Sequence, residues 1–183
     1  MPNRLLTVML LLMMMVAATA CSTDEANGGA GVASPIYETS AEEVLEELGF
    51  NMITPVGAKD IVYSIIDYSG GENLGMEENI AQVDFTLDGI AYTYRARAAA
   101  EWTDISGSYI NWDEDVDTNV GYAVGKTFIA EDIQFPGDEP ENVGLILWFD
   151  AVHNIQYSLH MNREADYRVL WSLAEQLFKP VEK

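Results

Sequence analysis

The sequence predicts an α+β fold, in which an antiparallel meander sheet of about six or seven strands carries a short N-terminal helix and a longer C-terminal helix on one face. Two observations predict it. Alternating apolar residues, bounded by turn residues, recur through the middle of the chain, and an amphipathic helical pattern lies on either side of them. The patterned region, residues 36–183, fits a single globular domain with one core.

The short N-terminal helix is predicted over Ala41–Leu48. Ser40 and Glu43 have capping-box spacing, so each side chain can bond the free backbone amide of the other at the start of the helix. Gly49 can end the helix. The apolar residues between these signals form one stripe, which is typical of a helix that packs against a sheet.

A tight hairpin is predicted where Asp88-Gly89 separates Ile80–Leu87 from Ile90–Ala98. Asp-Gly between two alternating segments favours a two-residue turn because both residues tolerate a positive φ. Pairing about this turn places three apolar pairs on one face of the sheet: Leu87 with Ile90, Phe85 with Tyr92, and Val83 with Tyr94. We therefore expect one side of this hairpin to be core and the other to be solvated.

Further strands and a closing helix complete the predicted sheet. A second hairpin is predicted between Leu145–Phe149 and Ile155–Met161, because apolar residues alternate in both segments. Three more strands are predicted, at Ile61–Ile66, Tyr109–Trp112 and Gly121–Ala130. The C-terminal helix is predicted over Arg163–Phe178, with Asn162 as its cap, because apolar residues follow helical spacing there.

The first 21 residues predict an address outside the cytoplasm. A cation at Arg4 precedes an apolar run to Ala20, and Ala18-Thr19-Ala20-Cys21 is similar to the lipobox of bacterial lipoproteins. We expect residues 1–20 to be a signal peptide, Cys21 to be lipidated, and residues 21–35 to be a flexible tether. The alternative is a retained transmembrane anchor, for which a 16-residue run is short.

The charge of the chain excludes several partners. The formal net charge is −21, with only nine Lys and Arg residues. Nucleic-acid binding needs clustered cations that neutralise phosphates, so we expect no nucleic-acid partner. An acidic surface is also repelled by anionic lipids, so attachment to a membrane is expected to come from lipid on Cys21. The lone cysteine leaves no intramolecular disulfide.

An acidic segment is the one candidate for a metal site. Asp113, Asp115 and Asp117 match the first three ligand positions of a calcium loop, but Thr118 and Val124 stand where an EF-hand needs Gly and Glu. Two interpretations remain, an irregular calcium site and a solvated acidic turn between strands. No cofactor is expected otherwise.

Aromatic residues in the middle of the chain are the candidates for ligand binding. Trp102, Tyr109 and Trp112 have acidic neighbours, which suits a groove for a cationic peptide, a sugar or a polyamine. The alternative is that these residues fill the core as parts of strands. The groove hypothesis requires that the three side chains remain open to solvent.

No catalytic motif is present in the sequence. His153 and His160 are the only histidines, and neither belongs to a Gly-x-Ser-x-Gly or His-Glu-x-x-His pattern. A secreted hydrolase would need a serine within hydrogen-bond reach of one of them. We therefore expect no catalysis and keep the hydrolase as the weaker alternative.

The chain resembles a family of small uncharacterised bacterial secreted lipoproteins that carry a domain of unknown function. The resemblance lies in a helix ending in Gly49-Phe50, a loop at Ile53-Thr54-Pro55, the segment Trp102–Tyr109, and Leu147-Trp148-Phe149-Asp150. It implies an extracytoplasmic, lipid-anchored address and no known activity. A related domain occurs behind transmembrane helices in anti-sigma-factor-like proteins, which implies a role in envelope sensing.

These observations lead to one expected function and one main alternative. We expect a lipid-anchored domain on the extracytoplasmic side of the cell membrane that binds an unidentified envelope protein or small ligand. The alternative is a calcium-stabilised structural protein of the envelope.

Overall fold

The computed structural model describes residues 36–68, 79–134 and 139–178. The predicted signal peptide, Cys21 and tether lie outside the described residues. Eight strands and two helices follow in the order β1 (Ile36–Thr39), α1 (Ala41–Leu48), β2 (Lys59–Ile66), β3 (Ile80–Leu87), β4 (Ile90–Ala98), β5 (Glu114–Val120), β6 (Ala123–Ile133), β7 (Glu141–Asp150), β8 (Ile155–Met161) and α2 (Tyr167–Leu177).

All described strands form one antiparallel sheet in the order β1-β2-β3-β4-β8-β7-β6-β5. The sheet consists of two four-stranded meanders, β1 to β4 and β5 to β8, which meet where β4 pairs with β8. The prediction of an α+β fold is confirmed. The predicted count of six or seven strands is wrong, because the described chain has eight.

The core lies on one face of this sheet. Trp148 is fully buried and packs against the rings of both Tyr94 and Tyr157, with near-parallel planes and centroids 6.0 and 5.1 Å away. Buried residues of both helices, Val44 in α1 and Leu170 in α2 among them, belong to the same apolar cluster. Burial of these side chains supplies the main stabilisation of a domain without a disulfide.

Both hairpins are confirmed. Leu87 pairs with Ile90, Phe85 with Tyr92 and Val83 with Tyr94, as the Asp88-Gly89 turn predicts. Asp88 and Gly89 both have a positive φ, of 51° and 82°. In the second hairpin β7 begins earlier than predicted, and β7 and β8 pair up to Asp150 and Ile155.

The structure corrects two predictions in the acidic segment. Tyr109–Trp112 is not a strand, and the supposed acidic turn after it is the edge strand β5. The strand pairs with β6 from Glu114 to Val120, and Lys126 on β6 offsets part of its charge by pairing with Asp115. Its end is anchored by Val120, which is fully buried.

The helices differ from the prediction in their placement. α1 has the predicted capping box and ends at Gly49, but it follows a strand instead of preceding the whole sheet. α2 begins at Tyr167 rather than Arg163, because Asp166 caps it by accepting hydrogen bonds from the backbone amides of Arg168 and Val169. No described helix combines the length and the apolar character needed to cross a membrane.

A close approach of α2 to the sheet depends on Gly144 in β7. A Cβ atom there would lie 2.5 Å from Leu170 Cδ1 and 2.9 Å from Ala165 Cβ. We predict that Gly144→Ala lowers the free energy of unfolding by about 1–3 kcal/mol, because the added methyl group overpacks this contact. Urea unfolding measures the loss.

Gly49→Asn is the control for Gly144→Ala. Gly49 has no atom within 4 Å of an added Cβ, and Asn tolerates its left-handed conformation. We expect a smaller loss for this variant. An equal loss in the two variants would contradict the packing argument.

Candidate functional site

The connection from β4 to β5, residues 99–113, lies against the second face of the sheet. We call this segment the crossover. Ile105 is buried and packs with Ile66 and Ile80 in a small second cluster. The backbone amide of Thr103 donates to Oε1 of Gln156, 3.1 Å away. The face that the hairpin pattern predicts to be solvated is therefore partly covered.

Gln156 in β8 is the buried polar anchor of the crossover. Its side chain has no exposed surface. Besides accepting from Thr103, it donates through Nε2 to the carbonyl oxygens of Trp148 and Tyr157, both 3.0 Å away. A buried amide with all of these partners avoids the cost of an unsatisfied polar group and fixes where the crossover begins.

Arg95 in β4 is the second anchor. Its Nε donates to Oε1 of Gln82 at 2.7 Å, and its Nη1 donates to the carbonyl oxygens of Ile105, at 3.2 Å, and Ser106. Gly107 permits this arrangement, since a Cβ atom there would lie 2.5 Å from Nη1 and the residue has a φ of +64°. Arg95 thus ties the middle of the crossover to the sheet.

The crossover and the sheet enclose a groove of about 910 Å³. We call it the crossover groove. Its volume lies within the range usual for small-molecule sites. The residues that line it come from the crossover, from β4, from β8 and its C-terminal flank, and from the start of β7: Thr93, Arg95, Ser106, Gly107, Ser108, Tyr109, Ile110, Glu139, Glu141, Ser158, His160, Asn162 and Arg163.

His160 in β8 lines this groove, and its surroundings favour the neutral imidazole. Burial lowers the pKa of its imidazole below the usual value, a contact with the Asn162 side chain acts in the opposite direction, and the positive charge of Arg95 lowers the pKa further. Its Nε2 and the hydroxyl oxygen of Ser108 are buried and have no hydrogen-bond partner among the described residues. A further polar group in the groove would supply the hydrogen bond that each of these buried atoms lacks.

The three aromatic residues predicted to bind a ligand lie in different environments. The side chain of Tyr109 is 100% exposed and lines the crossover groove. Trp112 is half-buried and packs against the rings of Phe128 and His160, with centroids 5.8 and 6.4 Å away. Trp102 is 39% exposed and is not part of the groove lining. The structure therefore brings Tyr109 to the groove and packs Trp112 against His160, one of the lining residues.

The carboxylates of the predicted calcium site have other partners. Asp113 Oδ2 accepts a hydrogen bond from the backbone amide of Glu131, 2.9 Å away. Asp115 forms an ion pair with Lys126, whose Nζ lies 3.8 Å from an oxygen of Asp117. Within residues 36–68, 79–134 and 139–178, no three His, Cys, Asp or Glu residues form a group that could hold a metal ion.

His153 belongs to a separate buried network around Asp150. Asp150 is fully buried and accepts from the hydroxyl of Tyr122, at 3.0 Å, and from the backbone amides of Val152 and His153. Its Oδ2 lies 2.6 Å from Nδ1 of His153. These contacts close the β7–β8 turn. No described serine takes part in this network, and none is hydrogen-bonded to His160 Nε2.

Sequence reasoning missed most of the groove. Arg95, Ser108, Ser158 and Arg163 carry no motif, and the crossover was predicted in part as a strand. One signal was available in the hairpin pattern. Arg95 stands on the polar face of a core strand in a chain with few cations, where a half-buried guanidinium needs specific partners.

No protein-family model matches the chain, and no curated protein or solved structure matches it either. The resemblance to secreted lipoproteins stays a prediction.

The Asp150 network makes stability depend on acid pH. Burial alone would raise the pKa of Asp150, but the hydrogen bonds from His153, Tyr122 and two backbone amides outweigh it and hold the pKa below the usual value. A carboxyl with a depressed folded-state pKa stabilises the fold above its unfolded pKa, and this contribution disappears as pH falls through the folded-state pKa.

We predict that Asp150→Asn lowers the free energy of unfolding at pH 7 by about 1–3 kcal/mol. The loss is expected to shrink as the pH falls from about 5 to 2, since the wild type loses the same contribution there. Urea unfolding across this pH range measures it. Asp88→Asn, in the exposed turn between β3 and β4, is the matched control. A loss that is constant across the pH range would contradict the assignment.

The pairing of Asp115 and Asp117 with Lys126 predicts the response to calcium. The ammonium group of Lys126 already pairs with these carboxylates. We therefore expect calcium at about millimolar concentration to raise the melting temperature no more than magnesium does at equal concentration. Thermal melts of the full chain with the two chlorides measure the difference. A rise specific to calcium would show that the native state binds that ion.

Proposed function

We propose that this chain is an extracytoplasmic binding domain, held at the cell membrane by lipid on Cys21, that takes up a small polar ligand in the crossover groove without catalysing a reaction. One observation carries the proposal. The longest connection among the described residues is tied to the sheet by Arg95 and Gln156, and it leaves a groove of about 910 Å³ between itself and three strands.

The lining of the groove supports a polar ligand. Tyr109 and Ile110 are its only residues with large apolar side chains, and the others carry hydroxyl, amide, imidazole or charged groups or, at Gly107, no side chain. The charged side chains of the lining are two cations, Arg95 and Arg163, and two anions, Glu139 and Glu141. An apolar ligand would leave the buried Nε2 of His160 and hydroxyl of Ser108 without partners, at a cost of about 1–3 kcal/mol each.

The unpartnered atoms of His160 and Ser108 support a ligand at this place. Buried polar atoms in native proteins are nearly always hydrogen-bonded, so exceptions need an explanation such as a ligand or an ordered water. Both residues line the same groove. The exposed ring of Tyr109 at the rim adds a flat surface on which a ligand can stack.

A panel of small polar molecules tests the binding function. We expect at least one neutral sugar, amino acid or dicarboxylate to raise the melting temperature of the full chain in detergent. Tyr109→Ala should weaken that stabilisation because it removes the rim of the groove. Trp102→Ala is the matched control, an exposed aromatic residue of the crossover outside the lining. Equal effects of the two substitutions would contradict the placement of the site.

Fractionation tests the anchor separately. In a bacterial host the full chain is expected in the detergent phase of membrane extracts, and Cys21→Ser in the aqueous phase, because stable anchoring requires acyl chains. Equal partition of the two forms would refute lipidation at Cys21.

A further inference from the structure

The geometry points to a ligand that carries a carboxylate, bound at the Arg95 end of the crossover groove. This inference rests on the proposed function and names the chemical class of its ligand. A sugar acid and the C-terminus of a short peptide are two sources of the same chemistry.

Arg95 pairs only with neutral groups of the described residues. Every hydrogen bond that the structure gives this side chain goes to a neutral oxygen, from Gln82, Ile105 or Ser106. Among the described residues, Arg95 forms no ion pair with a carboxylate. Guanidinium groups in partly buried sites usually meet carboxylates or phosphates, because these fit their fork of donors.

The two carboxylates whose charges act on Arg95, Asp84 and Asp104, are hydrogen-bonded to other groups. Asp84 accepts from the Gln82 amide at 2.7 Å and from the Thr93 hydroxyl at 2.7 Å, so Gln82 stands between the carboxylate and Arg95. Asp104 accepts from the backbone amide of Ser106, 2.8 Å away. Both charges favour the guanidinium from a distance, and neither fills the position beside it.

One nitrogen of the Arg95 guanidinium, Nη2, has no acceptor among the described residues. Nε and Nη1 of Arg95 are used to hold Gln82 and the crossover, whereas Nη2 donates no hydrogen bond to a described residue. Nη2 is also not among the buried polar atoms that lack partners, and Arg95 lines the groove, so Nη2 is the donor that we assign to a ligand bound there. A carboxylate there would gain a charge-assisted hydrogen bond in a site partly shielded from water.

The charged side chains that line the groove are unevenly distributed along it. Glu139 and Glu141 line its β7 end, together with Arg163, which donates to the carbonyl oxygen of Gly89 at the β3–β4 turn. Arg95 lies beside Ser158 in the register of β4 and β8 and shares its part of the lining with neutral residues. A carboxylate is therefore favoured at Arg95 and disfavoured near the glutamates.

Matched pairs of probes test this inference on the full chain in detergent micelles. The sugar pair is D-glucuronate and D-glucose, and the peptide pair is N-acetyl-glycyl-glycine and its C-terminal amide. We expect at least one acid to bind about tenfold or more tightly than its uncharged partner, and added NaCl to weaken that binding. Which acid binds distinguishes the sugar source from the peptide source.

The Nε–H resonance of Arg95 in ¹⁵N-arginine-labelled wild-type protein is the direct readout. It is expected to shift during titration with the binding acid and to stay unchanged with the uncharged partner. Arg95→Lys should reduce the affinity for the acid about tenfold, since lysine cannot present a planar fork. Arg168→Gln, on the first turn of α2 and outside the groove, is the control cation.

Three results would overturn the inference. If an acid and its uncharged partner bind the groove equally, the ligand is not recognised through a carboxylate, and the proposed binding function is retained. If an acid binds but the Arg95 resonance does not shift, the carboxylate lies elsewhere. If no acid binds at about 10 mM, the class is wrong, and the wider panel of polar molecules decides separately whether the groove binds anything.

Discussion

The pairing of β4 with β8 is the constraint on which the rest of the structure depends. It joins two antiparallel meanders into one sheet, and it requires the chain to leave β4 at the centre and resume at the far edge as β5. Tight turns cannot make this connection. The chain must cross the width of one meander, and it does so along the face that the helices leave open.

The crossover covers part of the sheet face opposite the helices, and the polar side chains of that face hold it in place. One face of the sheet packs its aromatic core against α1 and α2, while the other carries Arg95, Ser158 and His160 beneath the crossover. Polar side chains that would otherwise meet water become the attachments of a long connection. Gln156, fully buried with three hydrogen-bonded neighbours, shows how completely such attachments are satisfied.

Arg95 is the attachment of the crossover whose hydrogen-bonding capacity the described residues use only in part. The backbone oxygens of the crossover accept hydrogen bonds from Nη1 of Arg95. No described carboxylate forms an ion pair with its guanidinium. Burial lowers the pKa of Arg95, and the charges of Asp84 and Asp104 oppose the change. The binding site that we propose accounts for a cation in this position within a strongly acidic protein.

Local features of the fold could be predicted from the sequence and long-range ones could not. The Asp88-Gly89 turn and the capping box of Ser40 depend on neighbouring residues alone, and both are confirmed. The acidic residues of β5 form a strand by pairing with β6, where Lys126 pairs with Asp115, and the later start of α2 depends on which of two residues, Asn162 or Asp166, caps it. The groove depends on the β4–β8 pairing, which no local pattern encodes.

The contact that most needs a direct test is the attachment of the crossover, because the groove exists only if it holds. Hydrogen exchange of the native protein at the backbone amide of Thr103, which donates to Gln156, reports on it. The account predicts slow exchange that becomes fast in Gln156→Ala, while amides of the central strands stay protected. Exchange at Thr103 as fast as in an unstructured peptide in the wild type would contradict the account.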